Sequence, residues 1–334
     1  MYKDNPVILQ SLQVTKQYPA PGNRTLTACS GISMEVKQGE TLGIVGESGC
    51  GKSTFARMLV QLEKPTSGKL LYHGEDLSSM KGEALRQNRK NIQMVFQDPL
   101  ASFHPKMKII DILTEPMMNF RMVTRAQKED AAARLLQMVD LPEDFMYRYP
   151  HNMSGGQRQR IGIARALSLE PEILVCDEAT SALDVSVQKN IIELLVRLQR
   201  EKNLTIIFIC HDLALVQSFA HRVAVMYLGN IVELMPGESV AADARHPYTQ
   251  ALLRAVFSPD MDFRKEIQSI EGEAPSPLEI PEGCPFLNRC ERRMEVCKKT
   301  KPEARVVGPS HETACCLFEA YSEHREEERG KKCS

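Results

Sequence analysis

The sequence lacks three features that would place a protein in a membrane, in a secretory pathway or on nucleic acid. No apolar run reaches the roughly 18 residues of a membrane-spanning helix. The opening residues, MYKDNPVILQ, contain no apolar signal-peptide core. Lysine and arginine number 42 against 43 aspartate and glutamate, so no basic excess indicates nucleic-acid binding. We therefore expect a cytoplasmic protein without direct membrane insertion, which other chains would hold in place if it works at a membrane.

The composition is that of a globular protein with a sizeable core. Hydrophobic residues make up 43% and charged residues 25% of the 334-residue chain. This length predicts roughly two domains of about 150 residues each. There are 10 cysteines, many for a cytosolic protein, and most of them follow residue 283. The others lie in or beside apolar or motif segments and are interpreted as small buried hydrophobes: Cys29, Cys50, Cys176 and Cys210.

Three short apolar runs predict strands that are buried on both faces. They span residues 41–45, 173–176 and 205–210, and they do not alternate between polar and apolar residues. Continuous runs of this length suit a parallel sheet covered by helices, and a helical pattern lies between two of them at residues 190–200. The predicted fold class is therefore α/β, with ligands at the carboxyl ends of the strands.

Polar residues follow each of these runs. The first run is followed by GESGCGKST at residues 46–54, the second by Asp177 and Glu178, and the third by His211. Because parallel strands bring their carboxyl ends to one edge of a sheet, we expect a phosphate loop, two carboxylates and an imidazole to meet there. Chance could place one polar group at a strand end, but three complementary ones favour a functional site.

The stretch GESGCGKS matches the pattern of a phosphate-binding P-loop, with Gly46, Gly51, Lys52 and Ser53 in register. The glycines let backbone N–H groups close around phosphate oxygens, and the helix that begins near Lys52 adds the positive end of its dipole. We expect Lys52 to reach the β- and γ-phosphates and the Ser53 hydroxyl to bind Mg²⁺. The alternative is a glycine-rich turn with a chance lysine, which the preceding strand argues against.

The residues at the other strand ends have predicted roles beside the nucleotide. Asp177 would hold Mg²⁺, directly or through water, and Glu178 is placed to polarise an attacking water. An acidic pair after a strand can also be a helix N-cap. His211 would contact the γ-phosphate, although a lone histidine is more often a satisfied loop residue. Gln97 follows a strand-like run at residues 92–96, and its amide would sense the γ-phosphate through the metal and the water.

A second glycine-rich stretch, MSGGQRQR at residues 153–160, also predicts an anion-binding helix start. Ser154 is a good N-cap, and Gly155 and Gly156 leave the first helix amides open to a ligand. The simpler interpretation is a capped helix with a glycine hinge. Because the P-loop already supplies amides for one nucleotide, a second such site is useful if it touches a nucleotide on another subunit.

The order and spacing of these motifs resemble the ATP-binding subunit of an ABC transporter: P-loop, SGGQ, acidic strand end, SALD and histidine. The resemblance covers roughly residues 7–260. It implies a P-loop ATPase with a β-subdomain, a RecA-like core and a helical subdomain. It also implies a head-to-tail dimer, in which each ATP lies between the P-loop of one subunit and the SGGQ signature of the other. ATP and Mg²⁺ are the implied cofactors.

The resemblance assigns residues to this site. Contacts to the chain's own ATP, with adenine stacked on the tyrosine, fall on Tyr18, Gly46, Ser48, Gly49, Cys50, Gly51, Lys52, Ser53, Thr54, Gln97 and Asp177. Contacts to the partner's ATP fall on Ser154, Gly155, Gly156, Gln157 and Asp184. The catalytic set is Glu178, His211, Gln97 and Lys52, and the Mg²⁺ ligands are Ser53, Gln97 and Asp177. Ala179 departs from the family, which usually has proline there; this should alter a turn and not the chemistry.

A small helical insertion is predicted between the P-loop and the signature. Residues 124–127 have the pattern of a capping box and precede apolar residues at helical spacing up to Val139. By resemblance, the helical subdomain covers about residues 98–165 of a nucleotide-binding domain at residues 1–255. It turns with the nucleotide state and receives coupling helices from membrane subunits.

The composition changes after residue 245, where HPYTQALL precedes the proline-rich stretch EGEAPSPLEIPEG. A group of cysteines follows: Cys284, Cys290, Cys297, Cys315, Cys316 and Cys333. Disulfides are disfavoured in a reducing cytosol, so clustered thiols suggest a soft metal or an iron–sulfur cluster. No CxxC pair occurs, and spacing alone leaves a metal site and scattered free thiols equally open. Cys333, in a charged tail, is expected to be a free thiol.

This tail, at residues 256–334, resembles the C-terminal extension of the peptide/nickel importer ATPases. The similarity lies in HPYT just before this tail, in the proline-rich linker and in GCPFLNRC. It implies a metal site whose ligands are Cys284, Cys290, Cys297 and Cys315. A [4Fe–4S] cluster is the leading choice and Zn²⁺ the second, with Cys316 as an alternative to Cys315.

The stretches FQDPLASFHP and SGGQRQRIGIARAL resemble the F-type subunit of these importers. That resemblance implies a second homologous ATPase subunit, two transmembrane permeases and an extracytoplasmic substrate-binding protein, with this chain at the cytoplasmic face of the cell membrane. The expected function is ATP hydrolysis that powers import of di- and oligopeptides.

Other functions remain as alternatives at this stage. Nickel, an opine or glutathione would be other cargoes. A soluble ABC ATPase outside transport and a regulatory subunit with an inactive site are rival classes. A single P-loop without a coiled-coil insertion argues against the first rival, and the intact set of Lys52, Asp177, Glu178 and His211 argues against the second.

Overall fold

The structure is a computed structural model, and it describes residues 4–255, 276, 278 and 280–318. In these residues the strands are β1 (Val7–Ala20), β2 (Arg24–Lys37), β3 (Thr41–Val45), β4 (Ser67–Tyr72), β5 (Glu75–Asp76), β6 (Ile92–Val95), β7 (Ile173–Asp177), β8 (Thr205–Cys210), β9 (Arg222–Tyr227), β10 (Asn230–Pro236), β11 (Arg305–Gly308) and β12 (His311–Thr313). The α-helices are α1 (Lys52–Leu59), α2 (Gly82–Asn88), α3 (Pro99–Ser102), α4 (Ile109–Asn119), α5 (Lys128–Met138), α6 (Gly155–Leu167), α7 (Val185–Lys202), α8 (Leu213–Gln217), α9 (Val240–Asp243), α10 (Pro247–Arg254) and α11 (Val296–Lys299).

The main sheet has the strand order β11-β12-β10-β9-β3-β8-β7-β6. Its neighbouring strands β9, β3, β8, β7 and β6 pair in parallel. The strands predicted at residues 41–45 and 205–210 have those bounds, the strand predicted at 173–176 continues to Asp177, and the run at 92–96 ends as a strand at Val95. The α/β prediction is therefore confirmed.

The central strands are continuously apolar because both faces of the sheet are covered. Every residue of β3, β7 and β8 is buried. Leu42 and Ile44 pack in one apolar cluster with α1 and the N-terminal strands, whereas Val45 packs in a second cluster with α6, α7 and α8. Full burial of a large aliphatic side chain contributes about 1.5–3 kcal/mol, so these strands anchor the sheet that carries the polar strand ends.

A second, antiparallel sheet of order β2-β1-β4-β5 forms the β-subdomain. Residue pairs along β1 and β2 run from Val7 opposite Lys37 to Ala20 opposite Arg24. This sheet places Tyr18, opposite Leu26, near the end of the β1–β2 hairpin. The adenine-stacking candidate thus lies on an element separate from the P-loop.

Helices α3 to α6 occupy the predicted helical insertion. The capping box predicted at residues 124–127 is present, with the Thr124 backbone N–H donating to the Gln127 side chain at 2.9 Å. Leu113, Leu136 and Ile161, one from each of α4, α5 and α6, are fully buried in a shared cluster. Within the described ranges, every helix is too short or too polar to span a bilayer.

The C-terminal segment joins the main sheet, which the sequence did not predict. Strand β12 pairs with β10, with Glu233 opposite Thr313, and β11 pairs with β12. A buried contact between His311 Nε2 and Glu233 Oε1 at 2.9 Å ties the two parts together. The C-terminal segment and the preceding part of the chain therefore share one continuous sheet.

Candidate active site

Strand register brings the predicted site residues to one edge of the main sheet. Val45 lies opposite Cys210, Asp177 opposite Ile209, and Val95 opposite Cys176. The P-loop, the acidic pair, His211 and Gln97 therefore leave the sheet at the same edge, as expected from the sequence.

The P-loop makes a tight turn that only glycine fits. Gly51 has a φ of 106°, and a Cβ atom there would lie 2.0 Å from the carbonyl oxygen of Ala28. Gly51 is also the N-cap of α1, and no side chain caps this helix. Its first amides are thus left for a ligand. Ser48 and Gly49 are exposed at the mouth of the loop, and Cys50 is buried beneath it.

Lys52 is folded into the P-loop. Its side chain is buried, with the residue 4% exposed, and Nζ donates to the carbonyl oxygens of Gly46 at 2.8 Å and Glu47 at 2.9 Å. These carbonyl oxygens are neutral acceptors. The charged oxygens of a polyphosphate form stronger hydrogen bonds with an ammonium and would therefore compete with them for Lys52.

Ser53 and Asp177 meet as predicted for a Mg²⁺ site. The Ser53 Oγ donates to Asp177 Oδ1 at 3.0 Å. Burial raises the pKa of Asp177, and the Ser53 hydrogen bond opposes that shift. A hydroxyl and a buried carboxylate are oxygen ligands of the kind Mg²⁺ takes, and a divalent cation would offset the cost of burying the charge.

Glu178 and Gln97 are also in contact. Gln97 Nε2 donates to Glu178 Oε2 at 2.9 Å, so the predicted base and the predicted γ-phosphate sensor lie side by side. Glu178 has a φ of 47°, a left-handed conformation unfavourable for glutamate, and its N–H donates to Ile209 O at 2.9 Å. Strain of this type concentrates at functional sites. His211 follows β8 directly, with an exposed side chain.

Tyr18 is held beside the P-loop helix. Its hydroxyl donates to Glu63, and its environment includes a hydrogen bond with Thr54, which lies in α1. The Nζ of Lys16 lies 5.0 Å from the centre of the Tyr18 ring. The ring is thus fixed near the P-loop, where an adenine platform was expected.

The signature starts α6 with a complete capping box. Ser154 Oγ accepts from the N–H of Gln157 at 3.3 Å, and the Ser154 N–H donates to Gln157 Oε1 at 2.9 Å. The N-cap prediction for Ser154 is confirmed; the reciprocal bond from Gln157 was not predicted. Ser154 and Gly155 are exposed.

The signature packs against the start of the helix that follows the D-loop. A Cβ on Gly156 would lie 2.5 Å from Val187 Cγ1. Asp184 caps α7, since its Oδ1 accepts from the Val187 N–H at 3.0 Å and from the Ser186 hydroxyl at 2.7 Å. Hydrogen bonds from Ser186 and Val187 lower the pKa of Asp184. The five residues predicted to act on a partner's nucleotide thus belong to two adjoining helix starts.

The cysteines fall into two groups, as predicted. Cys29, Cys50, Cys176 and Cys210 are buried. The second group lines one small cavity of about 10 Å³ and comprises Cys284, Cys290, Cys297, Cys315 and Cys316. Burial raises the pKa of Cys284 to about 11 and of Cys315 to about 12, with the other thiols of the group adding to both shifts. Cys333 lies outside the described residues.

The thiols have the chemistry of a metal site without a formed geometry. Among the described residues, no group of three or more histidine, cysteine, aspartate or glutamate side chains is arranged to hold a metal ion. Soft thiols that line one cavity are the type of ligand that zinc and iron–sulfur clusters take. The cavity has room for about one water molecule. The thiols would therefore have to move apart to admit a four-iron cluster.

Sequence reasoning missed two contacts to Glu47 of the P-loop. The hydroxyl of Tyr248 accepts from the N–H of Glu47 at 2.9 Å, and Arg289 forms an ion pair with the Glu47 carboxylate. The HPYT sequence was recognised only as a family feature. Nothing in its spacing indicates that its tyrosine reaches the P-loop.

Two family models match the chain. The ABC transporter model matches residues 29–181, and the model of the oligopeptide/dipeptide transporter C-terminal region matches residues 232–297.

Characterised relatives match over most of the chain. The chain is 48% identical over 294 residues to the oligopeptide transport ATP-binding protein AppF of Bacillus subtilis, covering 87% of this chain and 89% of that protein. It is 49% identical over 297 residues to the oligopeptide transport ATP-binding protein OppF of Salmonella typhimurium, covering 88% of each.

Solved structures show the same fold. A dimeric post-hydrolysis state of the ATP-binding cassette MJ0796 with ADP and Pi is 29% identical, with a TM-score of 0.63 over 69% of this chain and 98% of that one. The cbiO1 protein of Clostridium perfringens, part of an ABC transporter complex, is 28% identical, with a TM-score of 0.64 over 71% of this chain and 91% of that one.

The fold, the P-loop and the signature define an ATP-binding cassette, an ATPase of the ABC class. Within that class, the chain belongs to the ATP-binding subunits of the oligopeptide/dipeptide transporter family. The resemblance stated from the sequence, including the F-type subunit, is confirmed.

Proposed function

We propose that this chain is the ATP-hydrolysing subunit that powers import of di- and oligopeptides through a membrane ABC transporter. The observation that carries the proposal is the meeting of three pairs at one sheet edge: Lys52 with the P-loop carbonyls, Ser53 with Asp177, and Gln97 with Glu178. The relatives named for oligopeptide transport and the matching C-terminal region support peptides as cargo.

In this mechanism the chain's own residues position the phosphates and the water. Lys52 leaves the carbonyls of the loop for the β- and γ-phosphates, and Ser53, Asp177 and Gln97 would hold Mg²⁺, which neutralises phosphate charge when bound. Glu178 orients the attacking water. His211, at the end of β8, contacts the γ-phosphate. Phosphoryl transfer depends on positioning and electrostatics, so each of these groups is expected to contribute to the rate.

The site is completed by a second subunit. Ser154, Gly155, Gly156, Gln157 and Asp184 would contact the nucleotide held by the partner's P-loop. The exposure of Ser154, Gly155 and Asp184 supports this assignment. Closure of the two subunits around ATP would move the helical subdomain and so drive the permeases; hydrolysis would reopen the dimer.

The proposed assembly contains a second homologous ATPase subunit, two transmembrane permeases and an extracytoplasmic substrate-binding protein. The chain would sit at the cytoplasmic face of the cell membrane. Its residues 1–255 form the proposed nucleotide-binding domain, with the helical subdomain at about 98–165, and residues 256–334 form the extension.

Glu178→Gln in the assembled transporter tests the catalytic assignment. We expect ATP hydrolysis to fall by roughly a hundredfold or more, while ATP still binds and holds the dimer closed. Hydrolysis is measured as phosphate release, and closure as co-elution of the two ATPase subunits with ATP. Glu193→Gln, on the exposed side of α7, is the matched control. Unchanged hydrolysis in Glu178→Gln would refute the role of this residue.

Uptake by the assembled transporter tests the cargo. Radiolabelled di- and oligopeptides are expected to accumulate with ATP, whereas nickel, an opine and glutathione are not. Preferential uptake of one of those three would replace peptide as the cargo. Purification without any membrane protein would favour a soluble ABC ATPase.

We further propose that the thiols of the extension hold a [4Fe–4S] cluster, with Zn²⁺ as the alternative. Cys284, Cys290 and Cys297 with Cys315 would be the ligands, and Cys316 lines the same cavity as Cys315. When bound, the metal would stabilise thiolates that burial otherwise disfavours. Anaerobic purification with iron, sulfide and zinc analysis separates the two. Absence of all three from the wild-type protein would argue that the cysteines are free thiols.

A further inference from the structure

The C-terminal extension contacts the P-loop at Glu47. Arg289 Nη1 donates to Glu47 Oε2 at 2.7 Å, and its Nη2 donates to Oε1 at 3.0 Å. The two residues are 242 positions apart in the sequence. This is a bidentate pair of guanidinium and carboxylate, the strongest form of such a contact.

The pair is shielded and preorganised by aromatic side chains. The Arg289 side chain is only 7% exposed, and its guanidinium carbon lies 5.9 Å from the centre of the Tyr227 ring. Tyr227 packs on Tyr248 with ring centres 4.6 Å apart and on Phe286 at 5.2 Å. An ion pair fixed in this way interacts more strongly than an exposed surface pair.

Glu47 is thereby held at three points. Its carboxylate accepts from Arg289, its N–H donates to Tyr248, and its carbonyl oxygen accepts from Lys52 at 2.9 Å. The orientation of this peptide group decides where the adjoining P-loop amides point. Because Glu47 belongs to the P-loop, its carboxylate would repel a polyphosphate bound by that loop if Arg289 did not neutralise its charge.

We infer that Arg289 is a positioning residue for nucleotide binding: it neutralises Glu47 and, together with Tyr248, fixes the P-loop in its binding conformation. The extension is then part of the ATP site. The inference rests on the P-loop being that site, and it does not depend on the cargo or on a metal among the cysteines.

The test measures binding of the β,γ-imido analogue of ATP, with Mg²⁺, to the full-length chain by calorimetry. Arg289→Gln leaves the Glu47 charge uncompensated and is expected to weaken binding about tenfold. Adding Glu47→Gln to this variant removes the charge and should restore most of the affinity. Arg289→Lys keeps the positive charge but cannot form the bidentate pair. Its affinity for the analogue should therefore lie between those of the wild type and Arg289→Gln.

Three further variants make the result decisive. Arg293→Ala, an exposed arginine in the same segment, should bind as wild type. Tyr248→Phe removes the acceptor for the Glu47 N–H while it keeps the ring, and should weaken binding about threefold. Lys52→Ala should abolish binding; if it does not, the P-loop is not the ATP site and the proposed function fails.

The inference is overturned if Arg289→Gln binds as wild type while Lys52→Ala does not bind. It is also overturned if the double variant Arg289→Gln with Glu47→Gln binds no better than Arg289→Gln alone, since the loss would then be one of packing. In the assembled transporter, Arg289→Gln should raise the KM for ATP about tenfold at nearly constant kcat, whereas a misfolded variant would lower kcat.

Discussion

The chain has two glycine-rich helix starts, and they differ in how their backbone amides are used. The P-loop helix α1 has no side-chain cap, so its amides are left for a ligand. The signature helix α6 has a capping box, in which Ser154 takes up the N–H of Gln157. Lys52 is buried beside the first start, whereas Ser154 and Gly155 of the second are exposed.

In the proposed function, this difference separates a site that binds nucleotide from a surface that a partner subunit would complete. The P-loop is held by contacts within its own chain, including the ion pair of Glu47 with Arg289 of the extension. The signature presents a hydroxyl and glycine amides to solvent, and Val185 beside it at the start of α7 is 83% exposed. P-loop variants should therefore change nucleotide binding by the isolated chain, and signature variants should change only the assembled ATPase.

Lys52→Ala should give the largest effect. This substitution removes the ammonium group that lies in the P-loop. ATP hydrolysis by the assembly should therefore fall roughly a thousandfold. Binding of Mg-ATP to the isolated chain should be lost as well, as measured by calorimetry. Lys69→Ala, an exposed lysine on β4, is the control. Wild-type affinity in Lys52→Ala would erase the distinction between the two helix starts.

Ser154→Ala should have a smaller effect on ATP hydrolysis, and that effect should appear only in the assembly. Hydrolysis should fall about tenfold because a hydroxyl facing the partner's nucleotide is lost, while the isolated chain should bind Mg-ATP as before. Loss of the cap should also lower the free energy of unfolding by about 1 kcal/mol.

Thr124→Ala is the matched control, because Thr124 and Gln127 form a second capping box. It should lower stability by a similar amount without changing hydrolysis per folded molecule. Equal hydrolysis losses in Thr124→Ala and Ser154→Ala would mean that the signature serine acts only as a cap.

Acidification should lower the free energy of unfolding through a buried histidine next to Tyr248, the residue that contacts the P-loop. His246 caps α10, with its Nδ1 accepting from the N–H of Tyr248 at 3.1 Å, and burial lowers its pKa from 6.5 to about 4 against an opposing effect of Glu233. Because the unfolded chain binds this proton first, stability is greatest above pH 6.5 and declines between pH 6.5 and 4. Through this histidine, the free energy of unfolding should fall by about 1 kcal/mol between pH 7 and pH 5.5.

Denaturant unfolding at the two pH values measures this difference. His246→Asn retains a capping side chain without the titration and should reduce the pH dependence by that amount. His151→Asn, an exposed histidine just before the signature, should leave it unchanged. If His246→Asn has the same pH dependence as wild type, the capping histidine does not carry the effect.

Local features were predictable because neighbouring residues determine them. The strands at residues 41–45 and 205–210, the glycine turn of the P-loop and the capping box at 124–127 depend on residues a few positions apart. Parallel pairing then places the strand ends at one edge whatever the loops do. The contact of Ser53 with Asp177 follows from that rule and was expected, whereas the contact of Gln97 with Glu178 follows from it but was not itself predicted.

Contacts across the chain could not be predicted in the same way. Strand β11 has only four residues and none of them is buried, so the sequence carries no clear strand pattern there. The packing of Gly156 on Val187 joins two separate helices and has no sequence signal either. A family resemblance led us to expect that the cysteines converge. Their spacing in the sequence did not predict the cavity that they share.

The sequence by itself determined which backbone amides could bind an anion and which side chains follow the strands. Those properties reside in single residues and in short-range backbone geometry. Only the tertiary structure decided that Arg289 and Tyr248 would meet Glu47. Such a contact depends on how the extension packs onto the edge of the sheet, and packing is a property of the whole folded chain.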